Sequence, residues 1–238
     1  RQLENTIPTP VRSPGVIDRH GVDHPLWTRG NPNDVAEMVP RGFLEAFSDR
    51  QYTTTQSGRL ELAEDLSNPD NPLVGRVIAN RIWHHLFGRG IVSTVDNFGH
   101  LGARPTHPDL LNYLVSQLEE NNWSQKKLIR QIVMSATYRQ ASHNPSLSEN
   151  QQATALNMLA QFPITRLDGE AIRDAMLTTA GSLDHTMYQS SVNGTSRRRS
   201  LYVQARRNSP DPFLNIFDRP EPLSTVGARA KTNVPAQS

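Results

Sequence analysis

The stretch NPLVGRVIANRIWHHLFGRG, residues 71–90, decides the fold class. Asn71 stands as a helix cap, Pro72 at the first turn where its missing N–H costs nothing, and Gly88 as the stop. Between them, apolar residues point in nearly every direction around a helix that turns about 100° per residue. The segment therefore predicts a buried core helix. Its two adjacent histidines, His84 and His85, leave such a helix about 100° apart. Two imidazoles that share one ion are normally a full turn apart, as in H-x-x-x-H. The expectation is a pair of neutral, hydrogen-bonded, packed histidines. A ligand or catalytic role for His85 is the lesser alternative, and it would require an orienting carboxylate or second histidine from elsewhere. One turn earlier, Asn80 precedes His84 and Arg81 precedes His85.

Outward from this helix, the same period recurs. SGRLELAEDL predicts a helix at about 57–67. THPDLLNYLVSQLEENN carries Leu110, Leu111, Leu114, Val115 and Leu118 on one face, with Thr106 and Asp109 as a box-like cap. WSQKKLIRQIVMSATYRQ opens on Ser124 as N-cap, with Trp123 placed to staple onto Leu128. A weaker helix covers SENQQATALNMLAQF. RLDGEAIRDAMLTTAGSL starts at Asp168 and stops at Gly181. The flanks differ in character. Residues 1–55 are punctuated by proline and read as an extended arm or linker, with a short helical turn near GFLEAF. QSSVNGTSRRRS is small and polar, a loop. LYVQAR alternates, with Leu201, Val203 and Ala205 on one side, and is the best strand candidate. DPFLNIFDRPEP has room for one helical turn. The expected fold is mostly α: an irregular helical domain over 56–238, a proline-rich N-terminal arm, and at most one short strand or hairpin near 199–206.

Composition narrows the function classes. The 238 residues are 36% hydrophobic and 20% charged, with a net charge of +2. That small basic surplus is far below the field of a nucleic-acid binder, and no reader motif or interleaved exposed aromatics accompany it. Cysteine is absent, which excludes disulfides, thiolate metal sites and covalent haem attachment by this segment. No run reaches the roughly 18 apolar residues of a membrane span. The chain opens on Arg1 and stops at NVPAQS, so it is expected to be part of a longer protein.

Two local clusters invite chemistry. DNFGHLGARPTHPD gathers Asp96, His100, His107 and Asp109, the one His/Asp group local enough to suggest a metal. A turn at Gly99 and Gly102 followed by a helix start explains it better, and no metal is expected. The runs SRRRS and ARRN, with Arg197, Arg198, Arg199, Arg206 and Arg207, could grip an oxyanion through their guanidinium forks. Pairing with Asp211, Asp218 and Glu221 downstream is the favoured reading. No nucleophile elbow, phosphate loop or dinucleotide fingerprint occurs.

Five blocks together carry a resemblance: NRIWHHLFGRG (80–90), THP (106–108), TYR (137–139), RLDGEAIRD (166–174) and RRN (206–208). In order and spacing the chain closely resembles domain-of-unknown-function family 1553, the C-terminal domain of planctomycete-type cytochrome-associated surface proteins. The resemblance implies an extracytoplasmic parent with a c-type cytochrome-like domain and a family 1549 domain as partners, and further chain beyond the present C-terminus. Haem c is expected only in that cytochrome-like domain, with no cofactor in this segment. The polar members Arg81, His85, Asp168, Glu170, Arg173, Asp174, Arg206 and Arg207 form the candidate functional cluster, either a shared pocket or a structural ion-pair network. The expected role is a non-catalytic accessory or docking domain. A polysaccharide-active hydrolase or lyase using the Arg/Asp/Glu/His cluster is the alternative, with polysaccharide as partner. A module binding anionic, sulfated glycans is the second. The enzyme question stays open at the level of sequence.

Overall fold

A computed structural model describes residues 15–232. The chain divides into two compact units, Arg1–Val74 and Gly75–Ser238.

In the first unit, β1 (His24–Trp27) pairs antiparallel with β2 (Val35–Val39), with His24 opposite Val39 and Trp27 opposite Val35. A tight turn with Arg29 and Gly30 at positive φ joins them. The short helix α1 (Arg59–Ser67) follows. Polar bonds do most of the tying here. Arg41 donates to the Asp23 carboxylate at 3.0 Å, to the Thr54 carbonyl at 3.1 Å and to the Gln56 carbonyl. The buried Asp65 accepts from Tyr52 Oη at 2.8 Å and from Arg50 at 3.0 Å. Burial and the Asp65 carboxylate push the Tyr52 phenol up to about 12. Tyr52 is the only large apolar side chain that the described part of this unit buries. Val22, Leu26, Trp27, Val35, Met38, Val39, Leu44 and Phe47 are all exposed.

The second unit is helical: α2 (Val74–Phe87), α3 (Pro108–Glu120), α4 (Gln125–Met134), α5 (Glu149–Asn157), α6 (Gly169–Thr179) and α7 (Pro212–Ile216). Its core joins Ala79, Trp83 and Phe87 of α2 to Ile91 and Val92, to Leu111, Leu114 and Leu118 of α3, and to Leu128 and Ile132 of α4. The i, i+3 and i, i+7 spacing of the α3 leucines puts them on one stripe. α2 and α3 approach closely because Gly75 has no side chain; a Cβ there would stand 2.7 Å from Val115 Cγ1. Gly88 stops α2 in the left-handed region, at φ 76°. Phe87 then packs against Tyr138 and Phe162, with ring centroids 5.5 and 5.6 Å away.

The mostly α expectation holds, and the one hairpin among the described residues lies in the N-terminal segment. The strand expected near 199–206 is instead a tight 3-10 turn over Ser200–Tyr202, followed by a single bridge between Val203 and Val192. Ser200 and Val203 are buried while Leu201 is 73% exposed. The inward period there is three, whereas a strand would require two. The expected cap at Thr106 also moves. His107 is the N-cap of α3, and the Thr106 hydroxyl donates to the Ile91 carbonyl at 3.2 Å.

Candidate functional site

The buried polar residue of α2 is Asn80, whereas the sequence pointed to the histidines. Asn80 is 0% exposed. Its side chain accepts from Val92 N at 2.8 Å and donates to Val92 O at 3.0 Å, closing the loop that follows the helix. His84 is half-buried, and burial, the adjacent His85 and Lys231 lower its imidazole below the ordinary value. His85 and Arg81 are exposed. One face of α2 is therefore wet, against the expectation of burial all round: three polar residues at 81, 84 and 85 cluster on that side.

The polar motif residues divide among distinct arrangements. Arg81 faces Asp96, at 3.4 Å. Glu170 holds Arg229 in a two-pronged pair at 2.6 and 3.1 Å, with Asp168 more distant from the same guanidinium at 3.9 Å. Burial alone would raise the Glu170 carboxyl, but the Arg229 guanidinium brings it below the usual glutamate value. Arg173, although only one turn from Glu170, turns to the 194–200 loop. It donates to the carbonyls of Gly194 and Arg198 at 3.0 Å, to that of Ser196, and to Ser200 Oγ at 3.1 Å. Asp174 accepts from the Ser200 backbone N–H at 2.7 Å.

Arg198, the middle of the SRRRS run, is the second buried arginine. It donates to the carbonyls of Thr186, Ser190 and Tyr188 and lies 4.0 Å over the Tyr202 ring. The two guanidiniums act as internal staples, each replacing a missing strand ladder with a fan of carbonyl contacts. Arg206 and Arg207 are exposed. Of the three acids expected to pair with them, Asp211 caps α7 through Leu214 N and Asp218 pairs with Arg166, and Glu221 forms no ion pair with either arginine.

The C-terminal strap, residues 227–232, was not foreseen, since nothing in its composition marks it. Gly227 N donates to Asp96 at 2.5 Å, Arg229 binds Glu170, and Thr232 N and Oγ1 both donate to Asp218, at 2.9 and 2.6 Å. Asp96 is thus taken up by the strap and Arg81. No three of the described His, Asp or Glu side chains are disposed to hold one ion.

A concavity lies where the end of α2 meets the end of α5. Its volume is about 180 Å³. Trp83, Phe87, Ile91, Leu156, Leu159 and Pro163 make its apolar wall, and Arg89, His107, Asn157 and Gln161 its polar part. Gln161, 7% exposed, donates to the Ser142 carbonyl at 2.5 Å and leaves its Oε1 without a donor. His107 spends Nδ1 on Thr106 Oγ1 at 3.0 Å. Of this lining the sequence singled out Trp83, Phe87, Arg89, Gly90 and His107 as motif members. Leu156, Leu159 and Gln161 come from a weakly patterned helix and its exit, and no local signal placed them there.

A family model described as "PSD1: Protein of unknown function (DUF1553)" matches residues 58–238. No curated protein and no solved structure matches the chain.

Proposed function

The chain belongs to the PSD1 family of proteins of unknown function, and we propose that it serves as a non-catalytic docking domain of an extracytoplasmic, c-type-cytochrome-linked protein. The observation that carries this reading is the apolar surface of the N-terminal unit. Both strands of its hairpin are exposed along their length apart from Pro25, and Leu26, Trp27, Val35, Met38 and Val39 all face water. A two-stranded hairpin is marginal in water unless a further strand or layer covers it, and the apolar side chains exposed along this one are what a covering partner would bury. The polar motif residues support the same reading from the other side. Glu170, Arg173, Asp174 and Arg198 are committed to internal bonds, which is the arrangement of a scaffold. The partner proposed is the cytochrome-like or family 1549 domain of the same parent.

Amide hydrogen exchange tests it. The hairpin amides from Trp27 to Val39 should exchange rapidly in the chain alone. They should slow at least tenfold when the parent's cytochrome-like and 1549 domains are added in trans, while α3 amides stay unchanged. Hairpin exchange that is already slow in the chain alone, or that ignores the added domains, would refute the docking role.

A further inference from the structure

Independently of that docking surface, we infer that the cavity between the ends of α2 and α5 is a binding site for a small aromatic carboxylate. Size comes first. At about 180 Å³ the space suits a single six-membered ring, since a cavity of roughly 150 Å³ lined by apolar side chains takes up benzene. It is well below the roughly 300–1,000 Å³ of sites for drug-sized ligands or cofactors.

Lining decides the character of the ring. Trp83 and Phe87, stacked at 4.1 Å on each other, line it together with Ile91, Leu156, Leu159 and Pro163. The polar groups Arg89, Thr106, His107, Asn157 and Gln161 are a minority of the lining, and a pyranose would turn hydroxyls against the apolar wall as well, each costly where it finds no partner. An aromatic ring meets the same wall with no polar group to satisfy.

Charge decides the substituent. Arg89 lines the cavity and is exposed. Among the described residues it has no carboxylate partner, unlike Arg81, Arg166, Arg173 and Arg229, which all do. Flanked by Gly88 and Gly90, it sits where the helix has stopped, and His107 stands on the same rim with Nδ1 already taken. A planar guanidinium grips a carboxylate through two parallel N–H···O bonds. One ring inside and one carboxylate at the mouth use both halves of the site.

The test is a titration of the whole chain with benzoate, benzyl alcohol and glucose, following the indole N–H resonance of Trp83, identified by its loss in Trp83→Phe. Benzoate should saturate the shift, benzyl alcohol should bind about tenfold more weakly or worse, and glucose should leave the resonance still. Arg89→Gln, at an exposed position, should bring benzoate down to the affinity of benzyl alcohol, a loss of tenfold or more for a charge-assisted bidentate contact. Leu156→Trp should fill the cavity and abolish both ring ligands with the thermal melt unchanged. Equal affinity for benzoate and benzyl alcohol would overturn the proposal in favour of a plain apolar slot. A glucose shift, or Arg89→Gln binding benzoate as before, would overturn it as well.

Discussion

Removing the Asn80 amide should cost the helical unit more than any other single side-chain truncation at a polar position of α2. Asn80 is fully enclosed and serves both the N–H and the C=O of Val92, at 2.8 and 3.0 Å. Asn80→Ala strands two buried backbone groups. Each unsatisfied group costs about 1–3 kcal/mol, so the expected destabilisation for the two is about 2–6 kcal/mol, before any cavity term. Urea unfolding followed by tryptophan fluorescence and by helical circular dichroism measures it as a fall in midpoint at unchanged slope. Asn80→Asp sharpens the test. Its carboxylate can still accept from Val92 N–H, but its other oxygen then faces the Val92 carbonyl with no proton between them. Burial and that carbonyl should raise the introduced carboxyl in the folded state above its unfolded value of about 3.9. The folded state then holds more protons, so stability falls as pH rises from the unfolded towards the folded value. The deficit of Asn80→Asp against the parent should thus be smallest near pH 3 and should grow towards neutrality. An Asn80→Ala deficit below about 0.5 kcal/mol, or an Asn80→Asp deficit independent of pH, would refute the clamp.

Two further outcomes follow from the internal charges. Arg173→Lys keeps the charge but cannot span the carbonyls of Gly194, Ser196 and Arg198 together. It should cost about 2–4 kcal/mol and speed exchange at the amides of Asp184 and Ser200; unchanged exchange there would show that the 184–203 loop holds without the staple. The Glu170–Arg229 pair should make the strap acid-sensitive. The folded Glu170 carboxyl lies below its ordinary value because Arg229 outweighs the opposing effect of burial. Its stabilisation is therefore complete above the unfolded value and is lost as pH falls through the folded one. Arg229→Gln should flatten this acid limb of the stability curve, and an unaltered limb would assign it to other carboxylates.

The helices were readable because their signals are local. Gly88 and Gly181 take positive φ where each pattern stops, and Ser148 with Gln151 closes a capping box within one turn. What escaped depends on partners distant in sequence. Asn80 meets a peptide twelve residues on, and no property of Asn80 itself distinguishes it from its histidine neighbours. The SRRRS run offers three identical side chains, and only the ring of Tyr202 and the carbonyls of 186–190 select Arg198 for burial. LYVQAR alternates convincingly, yet Arg173 and Asp174 pin Ser200 through its hydroxyl and N–H. That contact twists the segment into a 3-10 turn and leaves Leu201 outward. The candidate site suffered similarly. Polar residues one turn apart on α6 promised a shared pocket, whereas Glu170 answers to the strap and Arg173 to the loop.

This division has a consequence for how the helical unit is assembled. α6 is a hub whose successive turns reach opposite ways: Asp168 and Glu170 hold residues 227–232, and Arg173 and Asp174 hold residues 194–200. The strap in turn reaches Asp96 in the loop beyond α2, so α2 and α6 are linked through it without direct packing being required. The second unit is thus joined by buried and half-buried charge at one end and by the Trp83, Phe87, Leu114 and Leu118 core at the other. Charges that are satisfied in this way contribute specificity of arrangement more than net stability. Arg173 and Asp174 are thereby withdrawn from recognition, whereas Arg89 beside the apolar cavity and the bare hairpin of the N-terminal unit stay exposed.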